Sequence, residues 1–187
     1  MPAPYYVQAV ANEFLERGGR EQNLLTPMKL LKLVYIAHGW HLAVSGLPLF
    51  PEPVQAWKYG PVVPSLFHEF KVFGGQPITQ LAHASDQWTP GAEPSGLDFQ
   101  VNRPFVPPGD FNTIRMLEWV WKTYRHKTGP ELSELTHKDG TPWSKAVAKM
   151  KQDFPNQDWV PGVVIPDLDI REHYLELWKS MNGGKPK

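Results

Sequence analysis

His38 and His41 are the only two of the chain's seven histidines that stand close together, three residues apart in an apolar run. One helical turn separates such a pair, so both rings share a face and have the separation a shared metal would need. A zincin-type site needs two histidines four residues apart with a glutamate between them, as in H-E-x-x-H, and that pattern is absent. The chain has no cysteine, and no carboxylate lies beside the pair in sequence. No metal site is therefore expected, and His38 reads as a packed or hydrogen-bonded interior residue. Glu131 and Glu134 also share a helical face and read as solvated. An acid–base carboxylate pair would need environments that push the two pKa values apart. There is no G-x-S-x-G elbow, no G-x-x-x-x-G-K-[ST] loop and no G-x-G-x-x-G after a strand. No catalytic residue is nominated, and no cofactor is expected.

Trp57 and Tyr59 are the more informative residues. They flank Lys58 in an extended segment bounded by Pro51, Pro53 and Gly60-Pro61. Large amphipathic rings on a rigid, non-helical edge are the residue types that most often anchor protein recognition. The expected partner-binding surface is Trp57, Lys58, Tyr59, Gly60 and Pro61, with Lys32 and Tyr35 nearby. The alternative is structural: Trp57 plugs the core and Gly60-Pro61 merely turns the chain.

These residues depend on the elements around them. Val7, Val10, Ala11 and Phe14 fall on one helical face, and Gly18-Gly19 is expected to close that helix. Thr26-Pro27 opens a second helix, with threonine as N-cap and proline at its first position, and Ser45-Gly46 stops it. Its residues Leu30, Leu31, Leu33, Val34, Ile36, Trp40 and Leu42 are apolar on most sides, which marks a central, buried helix. Pro64 starts a third helix, and Gly74-Gly75 ends it. Residues 76–110 are proline-rich and read as an irregular excursion with one or two short strands. Asp110 caps a fourth helix that Gly129-Pro130 should end. A short helix follows from Glu131 to His137, Thr141-Pro142 starts another, and Asp167 to Met181 forms the last. Val163 to Ile165 is expected as a brief strand, and Gly183-Gly184 with the Lys-Pro-Lys tail as frayed ends. The fold class is mainly α: one compact helical domain of six or seven helices with minor short strands.

Composition narrows the class further. The 187 residues are 41% hydrophobic, with 8 Trp, 9 Phe and 6 Tyr, a globular make-up. Nineteen basic residues balance nineteen acidic ones. The basic excess that gives duplex binding its affinity is missing, which argues against nucleic acid as a partner. No run reaches the roughly 20 apolar residues of a membrane span, and Met1 to Tyr6 lacks the flank and core of a signal peptide. A cytoplasmic location and no membrane contact are expected.

The stretch Met28 to Ala43 (MKLLKLVYIAHGWHLA) resembles the signature helix of the Panacea domain, the SocA-like and GepA-like antitoxins of bacteria and their mobile elements. Two further blocks fall in the order that resemblance requires: Pro53 to Val63 (PVQAWKYGPVV), and Leu132 to His137 (LSELTH) with Pro142-Trp143 after it. Together they span about residues 5–151. The resemblance implies a non-catalytic, largely helical antitoxin that binds a cognate toxin directly. For the SocA-like branch it also implies an adaptor that delivers the toxin to a Clp-type protease. Two rivals stand beside it: an enzyme with a pocket around Tyr35, His38, Trp57 and His137, and a transcriptional regulator.

Overall fold

The computed structural model describes residues 3–83 and 103–183. Seven α-helices and one two-stranded sheet are present among them, a mainly α architecture. The first helix, α1, runs Val7–Arg20. It passes straight through Gly18-Gly19, the pair expected to end it. Gly18 is buried, and a Cβ there would lie 2.8 Å from the Asn23 carbonyl oxygen, so this glycine admits the returning chain rather than stopping the helix.

The central helix α2 (Pro27–Ser45) begins as its sequence dictates. Thr26 accepts a hydrogen bond from the Lys29 N–H, Pro27 takes the first helical position, and Gly46 ends the helix with φ +75°. Leu30, Leu33, Val34 and Ala37 are wholly buried, and Leu31 and Leu42 nearly so. This burial follows from the helix's position, packed against α1, α3, α4, α5 and α7 at once.

Strands β1 (Gln55–Trp57) and β2 (Gly60–Val62) pair antiparallel, with Trp57 opposite Gly60 and Gln55 opposite Val62. Gly60 and Pro61 thus belong to a strand; the chain turns at Lys58-Tyr59 and not at Gly60-Pro61. The expected strand at Val163 to Ile165 is a single antiparallel bridge, Val164 to Gln55. Hydrogen bonds of 2.8 Å from the Ala56 N–H to Val163 O and from the Ile165 N–H to Val54 O flank it.

Helix α3 (Pro64–Phe70) runs into a 3-10 turn over Lys71–Phe73 and stops at Gly74, with φ +55°. Asp110 caps α4 (Phe111–Tyr124) by accepting from the Thr113 N–H at 3.1 Å. Gly129-Pro130 starts α5 (Gly129–His137) instead of ending α4. The reason is local: Thr128 and Glu131 form a reciprocal capping box, which also gives Glu131 a structural partner. Thr141-Pro142 starts α6 (Pro142–Asp153), and α7 spans Asp167–Met181 as expected.

Within the proline-rich excursion, residues 76–83 and 103–110 carry neither helix nor strand. Buried Asn12 clamps both arms: its amide donates to Ala82 O (3.0 Å) and Pro104 O (2.9 Å), and its oxygen accepts from the Ala82 N–H (2.7 Å). The remainder of that excursion, residues 84–102, and the tail from Gly184 lie outside the described residues.

Candidate interaction surface

The turn between β1 and β2 is held by side chains from three helices. Trp143 at the start of α6 donates its indole N–H to Trp57 O at 2.8 Å. Ser133 of α5 donates its hydroxyl to Tyr59 O at 2.9 Å, and His137 Nε2 lies 3.4 Å from Lys58 O. Lys32 of α2 donates from Nζ to Pro61 O at 3.0 Å. Four carbonyls of one eight-residue hairpin thus find donors or polar ring atoms outside it. A hairpin this short is marginal alone, and here tertiary hydrogen bonds stabilise it.

Gly60 makes that arrangement fit. It is buried with φ +103°, where side chains are strained, and a Cβ would lie 2.6 Å from Lys32 Nζ and 2.9 Å from Thr136 Oγ1. Pro61 is also buried. Both residues therefore form the hairpin's underside and offer no contact surface, contrary to expectation.

The upper side differs. Tyr59 is 64% exposed, with the Lys58 ammonium 5.9 Å from its ring centroid. Trp57 is half-buried, edge-on to Phe67 at 4.8 Å, with its indole N–H donated to the Gln55 side chain at 3.0 Å. One edge of Trp57 packs against α3, as the structural reading expects, and the other borders open space. That space is a groove of about 660 Å³. Its walls are Met28, Leu31 and Lys32 of α2, the hairpin residues Gln55, Trp57, Lys58, Tyr59 and Val62, then Phe67 and Lys71, and Trp159, Pro161 and Gly162 of the loop before α7.

Lys32 is only 2% exposed, and burial alone pushes its ammonium pKa down to about 7. It meets the groove from beneath the surface. Tyr35 is not part of this surface at all. It is 2% exposed, its phenol is pushed up by burial, and its ring packs edge-on to Tyr174 of α7 at 6.2 Å. The four residues of the rival enzyme pocket likewise do not converge. His38 stacks on Phe50 at 4.2 Å and bonds Asp167 Oδ1 at 3.0 Å, while Tyr35 lines a different hollow beside Thr136 and Tyr174. Asp167 is a carboxylate beside His38 that sequence distance hid. Even so, among the described residues no group of three or more His, Cys, Asp or Glu is placed to hold a metal.

The three sequence blocks that resembled one family are therefore a single bonded unit, in which α2, the hairpin and the α5–α6 pair meet at four carbonyls. A family model described as Antitoxin SocA-like, Panacea domain, matches residues 30–144. The chain belongs to this family. Antitoxin SocA of Caulobacter vibrioides (strain NA1000 / CB15N) is 31% identical to it over 142 residues, 76% of this chain and 70% of that protein. No solved structure matches. The matched part of this Panacea protein ends just past Trp143, so it holds the hairpin and its anchors. Trp159, Pro161 and Gly162, which complete the groove, lie beyond it, and α7 follows them. Sequence reasoning missed those three residues, Lys71, and the anchoring roles of Ser133, His137 and Trp143. One signal was available for Lys32: a lysine within a helix apolar on nearly every side has few ways to reach water. Among the described residues, no helix is long and apolar enough to cross a membrane.

Proposed function

We propose that this Panacea protein is a non-catalytic cytoplasmic antitoxin that neutralises a cognate toxin by gripping it directly through the β1–β2 edge. Trp57, Lys58 and Tyr59 form the contact, and Lys32 lies beneath them. The observation that carries this reading is the combination of a hairpin pinned from below with an open, mostly apolar groove beside an exposed Tyr59. A pinned edge loses little conformational freedom on docking, and an apolar groove left open on a surface marks a place where another molecule sits. Delivery of the bound toxin to a Clp-type protease is a finer proposal, supported by the resemblance to the SocA-like branch.

The test is co-expression with the product of the neighbouring gene. Relief of growth arrest together with a co-purifying complex is expected, and a shortened toxin half-life that depends on a Clp protease would support the adaptor step. A harmless neighbour, or rescue without a complex, overturns direct neutralisation. Rescue by a complex whose toxin is equally long-lived with and without the protease overturns only the adaptor step.

A further inference from the structure

The groove beside the hairpin has a one-sided charge. Lys32 reaches it from its floor, and exposed Lys58 and Lys71 stand at its edge. None of the described residues lining it is acidic. Among the described residues, no carboxylate lies within ion-pair distance of any of the three. Lys32 makes one hydrogen bond among the described residues, to Pro61 O, although an ammonium carries three donors. A lysine this deeply buried is normally paired, because taking an ammonium out of water costs several kcal/mol. Here the opposite charge is missing among the described residues. Most of the remaining lining is apolar, with Leu31, Trp57 and Phe67 among its large side chains, and Gln55 is polar.

We infer that the groove receives an acidic, apolar-rich peptide segment of the protein partner, with a bulky side chain between Leu31, Trp57 and Phe67 and a carboxylate on the Lys32 ammonium. Further carboxylates of the segment face Lys58 and Lys71. This deepens the antitoxin reading and rests on it, since it specifies which part of a toxin the edge would hold. The volume of about 660 Å³ suits such a segment, lying within the range of roughly 300–1,000 Å³ typical of ligand clefts. Charge complementarity selects the acidic class. Lys32 specifies side-chain register, because one buried cation accepts a carboxylate at one place only. Binding also has a proton signature. Free Lys32, with a pKa of about 7, is largely neutral at pH 8, and a carboxylate partner restores its charge, so the complex takes up a proton.

The experiment uses the full chain with N-acetylated, C-amidated peptides built from Asp, Glu, Leu and Trp, and an isosteric set in which Asn and Gln replace the acids. Calorimetry at pH 8 in buffers of different ionisation enthalpy reads affinity and proton uptake together. The acidic set should bind about tenfold or more tighter than the amide set, with uptake approaching about one proton per complex. Lys32→Met should abolish the uptake. Paired replacement of exposed Lys58 and Lys71 by alanine should weaken binding and flatten its salt dependence even if the Lys32 variant fails to fold. Equal binding of the two peptide sets, uptake that survives Lys32→Met, or binding of dodecanoate or inorganic phosphate where the acidic peptides do not bind would each overturn the inference. A toxin that co-purifies while the acidic peptides fail keeps the antitoxin reading and removes this one. A toxin that never associates removes the antitoxin reading itself.

Discussion

Residues 28, 32, 35 and 39 recur at helical spacing and lie along one stripe of α2, yet the two halves of that stripe meet opposite environments. The C-terminal half is filled. Gly39 lies so close to α7 that a Cβ would come within 2.2 Å of the Tyr174 ring, and Trp40 packs edge-on to the same ring at 5.2 Å. The N-terminal half, at Met28, Leu31 and Lys32, borders the open groove. A closely packed half contributes stability and tolerates little change. A half left unfilled beside a buried lysine with no carboxylate partner among the described residues gives up stability that a better-packed sequence would gain. The two halves separate residues packed against α7 from residues that border open space.

Paired truncations give the largest test of that contrast. Leu33→Ala, at a wholly buried position, should lower the unfolding free energy by about 3–5 kcal/mol. Leu31→Ala, whose side chain borders the groove, should fall toward about 2 kcal/mol, because its loss enlarges an existing opening instead of creating a cavity. Equal losses in chemical denaturation would show that the groove is closed in solution.

Next in size is Lys32→Met. Folding holds the Lys32 pKa below its unfolded value, so between about pH 7 and 10 the unfolded chain binds more protons and stability rises with pH. The destabilisation is fully present below about pH 7 and is relieved as pH climbs toward 10. The methionine variant should gain roughly 3 kcal/mol at pH 6, a gain that shrinks toward zero by about pH 10. A constant offset in urea melts across that window would place Lys32 in water. Gly39→Ala should cost about 1–3 kcal/mol by overpacking against Tyr174. A neutral result would mean that α7 shifts freely and that the filled half is softer than its geometry indicates.

Tyr59→Ala should have the smallest effect on stability, within about 0.5 kcal/mol, since the ring is mostly in water. Its toxin affinity should nonetheless fall about 30-fold. A variant that melts and binds like wild type would remove this residue from the interface and leave the groove floor to carry recognition.

Helix starts were legible because their determinants lie within four residues. Thr26-Pro27, Asp110 and Thr141-Pro142 each place an oxygen acceptor one turn from a free N–H, and each forms the cap expected of it. Glycine was less legible, because its meaning depends on what approaches it. Gly18 admits the returning chain near Asn23, Gly39 admits Tyr174, and Gly129 opens a helix once Thr128 and Glu131 cap it. The sequence by itself determined the helical class, the buried central helix and the three blocks that mark the family. Only the tertiary structure decided that Lys32 and Tyr35, one turn apart, serve different neighbours, and that Gly60 and Pro61 face inward while Tyr59 faces out. Helical spacing fixes which residues share a face, but what covers that face comes from segments more than a hundred residues away. For Tyr35 that cover is Tyr174, and beside the groove's floor the loop at Trp159 supplies a wall.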